Sequence, residues 1–176
     1  MLVGALAFFA SSSVESVETP RPGEYEVKAA FLYNFAKFVK WPDEAATGAT
    51  FVIGVLGDDP FGPALEKTLH GKTVLDKTVE VRRFASPEAA RDARIVFVSA
   101  SEKDRLKEIL KTLAGSAVLT VGDMDGFADR GGMIAFQLRD EAVRFDINLE
   151  VVEHANLKMS SQLIRLAQRV IGANGG

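Results

Sequence analysis

The chain contains no cysteine, and that absence removes disulfide cross-links, thiolate nucleophiles and cysteine-ligated zinc at once. Histidine is nearly as scarce. The two present, His70 and His154, stand far apart with no ligand pattern around either, so no metal site is expected. Neither a G-x-G-x-x-G turn nor a lysine-bearing phosphate loop occurs, and no cofactor is expected. Positive charge does not dominate either. Lysine and arginine number 21 against 24 acids, a formal charge of −3, which argues against general nucleic-acid binding.

What is present is the composition of a globular protein: 176 residues, 47% hydrophobic and 26% charged, with 12 phenylalanines. A domain of this length buries about two-thirds of its unfolded surface and needs no disulfide to stand alone. Residues 1–10, MLVGALAFFA, are apolar and run into SSSVESVETPRPG. The run is too short to span a bilayer. It reads as the hydrophobic region of a signal peptide, with Ala10 and Ser12 in a small-residue cleavage zone, although no basic segment precedes it. Residues 1–23 are therefore expected to be a signal-peptide remnant and linker. Export is expected, with the mature protein beginning between Ser11 and Glu24. Residues 24–172 are expected to form one α/β domain.

Within that domain the periodicity alternates. Residues 24–40 are helical in pattern, with Val27, Phe31, Phe35 and Phe38 on one face, and Trp41-Pro42 closes the helix. Residues 50–57, 95–98 and 118–121 are short apolar runs, the mark of strands covered on both faces. Helical stretches at 62–70 and 102–113 separate them, and residues 79–84 supply another strand. Two strands at 133–138 and 143–147 are joined by the polar turn Arg139-Asp140-Glu141. Asn156 is suited to stop a helix over 149–155, and Ser160 to cap a last helix with Leu163, Ala167 and Val170 inward. The expected fold is a three-layer α/β/α sandwich, its sheet mostly parallel with an antiparallel edge hairpin.

In such sheets ligands gather at loops leaving the carboxyl ends of strands, here Gly57-Asp58-Asp59, Ser99-Ala100-Ser101 and Gly122–Asp125. Asp58-Asp59 has the look of a magnesium pair, but the later strand ends offer Ser99 and Asp123 without the matching lysine, and turn residues ahead of Pro60 is the plainer reading. The D-x-D-G fragment at Asp123–Gly126 lacks the remaining oxygen ligands of a calcium loop. Ser99 and Ser101 lack the G-x-S-x-G elbow and a placeable histidine. No standard catalytic set assembles, and the chain is expected not to be an enzyme. Lys40 and Lys158 carry more interest. Lys40 closes a long apolar helix beside Trp41, and Lys158 precedes a serine-capped helix start. Together they suit a carboxylate or phosphate; separately they are solvated helix-end charges.

Two segments go further. AAFLYNFAKFVKWP (residues 29–42) and RFDINLEVVEHANLKMSSQLIRLA (residues 144–167) resemble the opening and closing motifs of the YfiR-like periplasmic family. VLGDDPFG and GGMIAFQL fall between them in the expected order. The resemblance covers residues 24–171. It implies a periplasmic, often dimeric α/β domain that represses a membrane-bound diguanylate cyclase by binding its periplasmic part, or serves as a sensory module of a histidine kinase. It also implies small-ligand contacts at Lys40, Trp41, Lys158 and Ser160, toward a small anionic or aromatic ligand. Lysine does not reproduce an arginine's bidentate fork, so the ligand is not carried over with the position. A small-ligand sensing or scavenging domain is the alternative reading.

Overall fold

The structure is a computed structural model that describes residues 23–42 and 49–172. The expected signal-peptide and processing region lies outside those residues. Helix α1 (Glu24–Phe38) opens the fold. Its first turn carries Glu24 and Glu26 and its last turn Lys37, the charge order that the helix dipole favours. Glu26 also accepts a hydrogen bond from the Gly23 N–H at 3.1 Å, occupying a donor at the helix start. Strand β1 (Val39–Lys40) follows without a break, then β2 (Thr50–Leu56), α2 (Ala64–Leu69), β3 (Thr73–Val74) and β4 (Lys77–Phe84). Beyond a 3-10 turn at Ala89–Asp92 come β5 (Ile95–Val98), a second such turn at Ala100–Glu102, α3 (Leu106–Leu113) and β6 (Leu119–Gly122). The chain finishes with β7 (Ile134–Arg139), β8 (Ala142–Asn148), α4 (Leu149–His154), β9 (Lys158–Met159), α5 (Ser161–Leu166) and β10 (Arg169–Ile171).

Eight strands form one sheet in the order β10-β8-β7-β6-β5-β2-β4-β3. The five from β4 to β7 run parallel. As expected, β2, β5 and β6 are neighbours at its centre, and β7 and β8 form an antiparallel hairpin toward one end. The hairpin turns through Asp140 and Glu141, both with positive φ. This is the backbone that a two-residue turn needs to match the strands' twist.

Strand alternation sends side chains to both faces, and each face has its own core. On one face Phe51, Ile53, Val55, Ile95 and Phe97 pack beneath α1 and α2. On the other, Val52, Leu56, Val96 and Val98 meet Leu106, Ile109 and Leu113 of α3. Phe127 is fully buried in that second core. It lies so close to the backbone that a Cβ on Gly132 would come within 2.1 Å of its ring. Helix α1 packs through Phe35, whose ring centroid is 5.6 Å from Phe136 and 5.2 Å from Phe145. Phe31 and Phe38 are half-buried at the flanks of the same cluster.

One departure from the expected pattern has a clear cause. The last helix stops at Leu166, and residues 169–171 pair with β8 as a further parallel strand. Arg169 fixes that strand. Its Nε donates to the buried carboxylate of Asp146 at 3.0 Å, and its two terminal nitrogens donate to Asp129 at 2.8 Å each. The same guanidinium holds the Asp129 carboxyl below its ordinary pKa.

Candidate functional site

Strands β1 and β9 pair only with each other, apart from the main sheet. In their antiparallel register Val39 faces Met159 and Lys40 faces Lys158. The Ser160 N–H donates to the Phe38 carbonyl at 2.9 Å. By the alternation of such ladders, Lys40 and Lys158 then form a hydrogen-bonded pair with Cα atoms about 5.5 Å apart. Two lysines directly opposite repel one another. Among the described residues neither has an ion-pair partner, and both side chains are exposed. An anion seated between them relieves that repulsion.

The pair stands at a cleft of about 850 Å³ lined by Lys40, Trp41, Leu149, Glu153, Lys158 and Ile164, among others. Three of the four residues expected from the sequence therefore meet in one place. Trp41 is a wall rather than a donor: it is 3% exposed, packs edge-on against Phe51, and its indole N–H already donates to the Arg94 carbonyl at 3.3 Å. Ser160 stands beside the cleft and does not line it. Its hydroxyl accepts from the Leu163 N–H at 3.2 Å and caps α5, which has only six residues. Ser160→Ala should therefore lower stability by about 1 kcal/mol, the usual worth of such a cap, while leaving ligand affinity unchanged. Urea unfolding alongside a binding titration checks both halves.

The cleft lies at the opposite end of the sheet from the loops where ligands of such folds usually gather. Trp41 touches Arg94, which precedes β5, and β8 runs against the parallel strands to deliver Leu149, so this is the amino end of the sheet. Glu153 was not expected from the sequence. It brings a carboxylate to the opposite charge of the lysines, so the cleft suits a ligand with an anionic group and a donor or cation.

Several groups of the carboxyl-end loops are already engaged. Asp59 accepts the Phe61 N–H at 2.8 Å and pairs with Arg83, and the Asp58 N–H donates to Ser101 Oγ at 3.0 Å. Asp123 accepts from the buried Lys28 Nζ at 2.7 Å and from the Tyr25 hydroxyl at 2.9 Å. Burial, reinforced by that bond to Asp123, pushes the Tyr25 phenol far above its ordinary pKa. Among the described residues no helix is long and apolar enough to cross a membrane.

Comparison with known proteins agrees with this architecture. A conserved domain protein from Vibrio cholerae O1 biovar eltor shares the fold with a TM-score of 0.60 at 8% identity, over 84% of this chain and 60% of its own. An ABC domain in complex with L-Trp from Streptococcus pneumonia matches with a TM-score of 0.49 at 11% identity, over 69% of this chain and 55% of its own. The chain thus spans less than two-thirds of either structure's length. No curated protein matches the sequence. Residues 25–168, however, match the YfiR/HmsC-like family (DUF4154), which is associated with the regulation of diguanylate cyclases. The motifs at its two ends are the segments that pair to build the lysine cleft, and this chain belongs to the YfiR/HmsC-like family.

Proposed function

We propose that the protein is a periplasmic regulator that binds the periplasmic part of a membrane-bound diguanylate cyclase and holds it inactive, with the lysine cleft as its effector pocket. The observation that carries this reading is the unpaired, like-charged Lys40–Lys158 couple at a ready-made cleft, in a chain belonging to a family tied to cyclase regulation. The groups around the cleft suit binding of a small anionic molecule: two lysines, one carboxylate, an amide and apolar walls. Repression needs only a difference in affinity between the cyclase's two states. A tenfold preference corresponds to about 1.4 kcal/mol, within reach of a modest interface.

Deleting the gene should raise cellular cyclic di-GMP, and an exported wild-type copy should restore it. The Lys40→Ala, Lys158→Ala double variant should fold normally and still repress, yet no longer respond to an anionic effector. Unchanged cyclic di-GMP after deletion, with the candidate cyclase shown to be expressed, rejects the repressor reading.

A further inference from the structure

The opposite end of the sheet holds a second feature, independent of the lysine cleft. Strand β6 ends at Gly122, which pairs with Ala135, while β7 runs on through residues 136–139. The chain leaving β6 does not continue beside that overhang. It turns to the α3 face, where Met124, Phe127 and Ala128 are buried. A cleft of about 570 Å³ remains between the β7 overhang, the loop at residues 123–126 and the first turn of α1.

The backbone there is unpaired on one side. The Asn148 N–H donates to the Met133 carbonyl, so alternate residues Met133, Ala135, Gln137 and Arg139 direct their backbone groups toward β8. Leu138 therefore points its N–H and C=O into the cleft, and among the described residues no strand lies alongside to receive them. Its side chain is 53% exposed, one of only a few large apolar groups so placed among the described residues.

We propose that this overhang is a strand-addition site for an extended segment of a partner protein that alternates apolar and basic residues. The overhang's four residues span about 13 Å, enough for a short added strand. An apolar side chain of that strand covers Leu138 and the Tyr25 ring. Charge selects its neighbour. Glu24, Asp123 and Asp125 line the cleft, and Asp125 is exposed with no ion pair to a described residue. Lys28 is buried beneath the first two acids, and the exposed Arg139 guanidinium, which lines the same cleft, donates to the neutral Gln137 side chain and keeps its charge. Three acids against two bases leave the lining acidic by one charge, with Asp125 as the acid free to meet a basic residue of the incoming strand.

The probe is the peptide acetyl-Lys-Val-Lys-Val-Lys-amide, titrated into the isotope-labelled full chain and followed by amide NMR shifts. Saturable binding at about 1 mM or tighter is expected, with shifts concentrated at residues 123–126 and 136–139. Methylating the peptide's backbone nitrogens should weaken it about fivefold or more, the worth of one or two backbone hydrogen bonds. Leu138→Pro, which removes the outward N–H, should do the same, and Asp125→Lys should weaken binding through charge. If Leu138→Pro disturbs the hairpin, the N-methylated peptide tests the same bonds on the unaltered protein. No binding, shifts that map elsewhere, or equal affinity for the N-methylated peptide would overturn the proposal. None of these outcomes bears on the lysine cleft.

Discussion

Asp123→Ala is expected to destabilise the protein by about 3 kcal/mol, and Lys28→Met by less. Lys28 is 2% exposed, with its ammonium held by Asp123 and Glu24 and lying 4.3 Å from the Tyr25 ring centroid. Removing Asp123 leaves that cation buried with a single, more exposed carboxylate and also strips the Tyr25 hydroxyl of its acceptor. Breaking a buried pair from one side costs about 3–5 kcal/mol, and the surviving Glu24 contact places this case at the low end. Lys28→Met breaks the same pair from the other side, but methionine fills the same channel, and the Asp123 carboxylate keeps the Tyr25 bond and is slightly more exposed than the lysine it loses. Urea unfolding of both variants decides the matter. An equal or larger loss for Lys28→Met would show that Lys28 is held for its charge and not its packing.

Phe35→Ala should cost about 4 kcal/mol, against roughly half of that for Phe31→Ala. Phe35 has no exposed surface and touches three aromatic rings, those of Phe31, Phe136 and Phe145. Its deletion leaves a cavity that three rigid rings cannot collapse into. Phe31 is half-buried, so water already meets part of its surface and less is lost. Thermal or denaturant unfolding gives the order directly, and a Phe31→Ala loss matching that of Phe35→Ala would contradict the packing described here. The effect reaches beyond stability, since α1 supplies Lys28 at one end of the sheet and leads into Lys40 at the other. Both variants should therefore broaden NMR signals in both clefts.

Much of this was legible in the chain. Runs such as IVFV at 95–98 have no polar face and so announce a strand buried on both sides, and the Ser160 and Asn156 helix signals lie where the backbone uses them: Ser160 caps α5, and Asn156 has φ of 57°. The pairing of β1 with β9 was not legible, because two residues cannot show a period and their partners come from the other end of the sequence. Residues 169–171 misled for a related reason. Val170 continues a helical apolar spacing, but the unpaired edge of β8 and the Asp146 carboxylate offer Arg169 more than another helical turn does. Lys28 was missed although a signal existed: a lysine four residues after Glu24, inside an apolar stripe, has its partner already chosen.

The contact between residues 39–40 and 158–159 fastens the two ends of the fold like a buckle. Loop-closure entropy opposes joining segments so distant in the chain, so the buckle is expected to close late, after the sheet between them has formed. A molecule seated between the lysines binds only the buckled chain. Its affinity therefore reports complete folding, and an effector present at 100 times its dissociation constant would add about 2.7 kcal/mol to the stability of the closed form. A shortened chain ending before Lys158 would keep every central strand and yet be deaf to the effector.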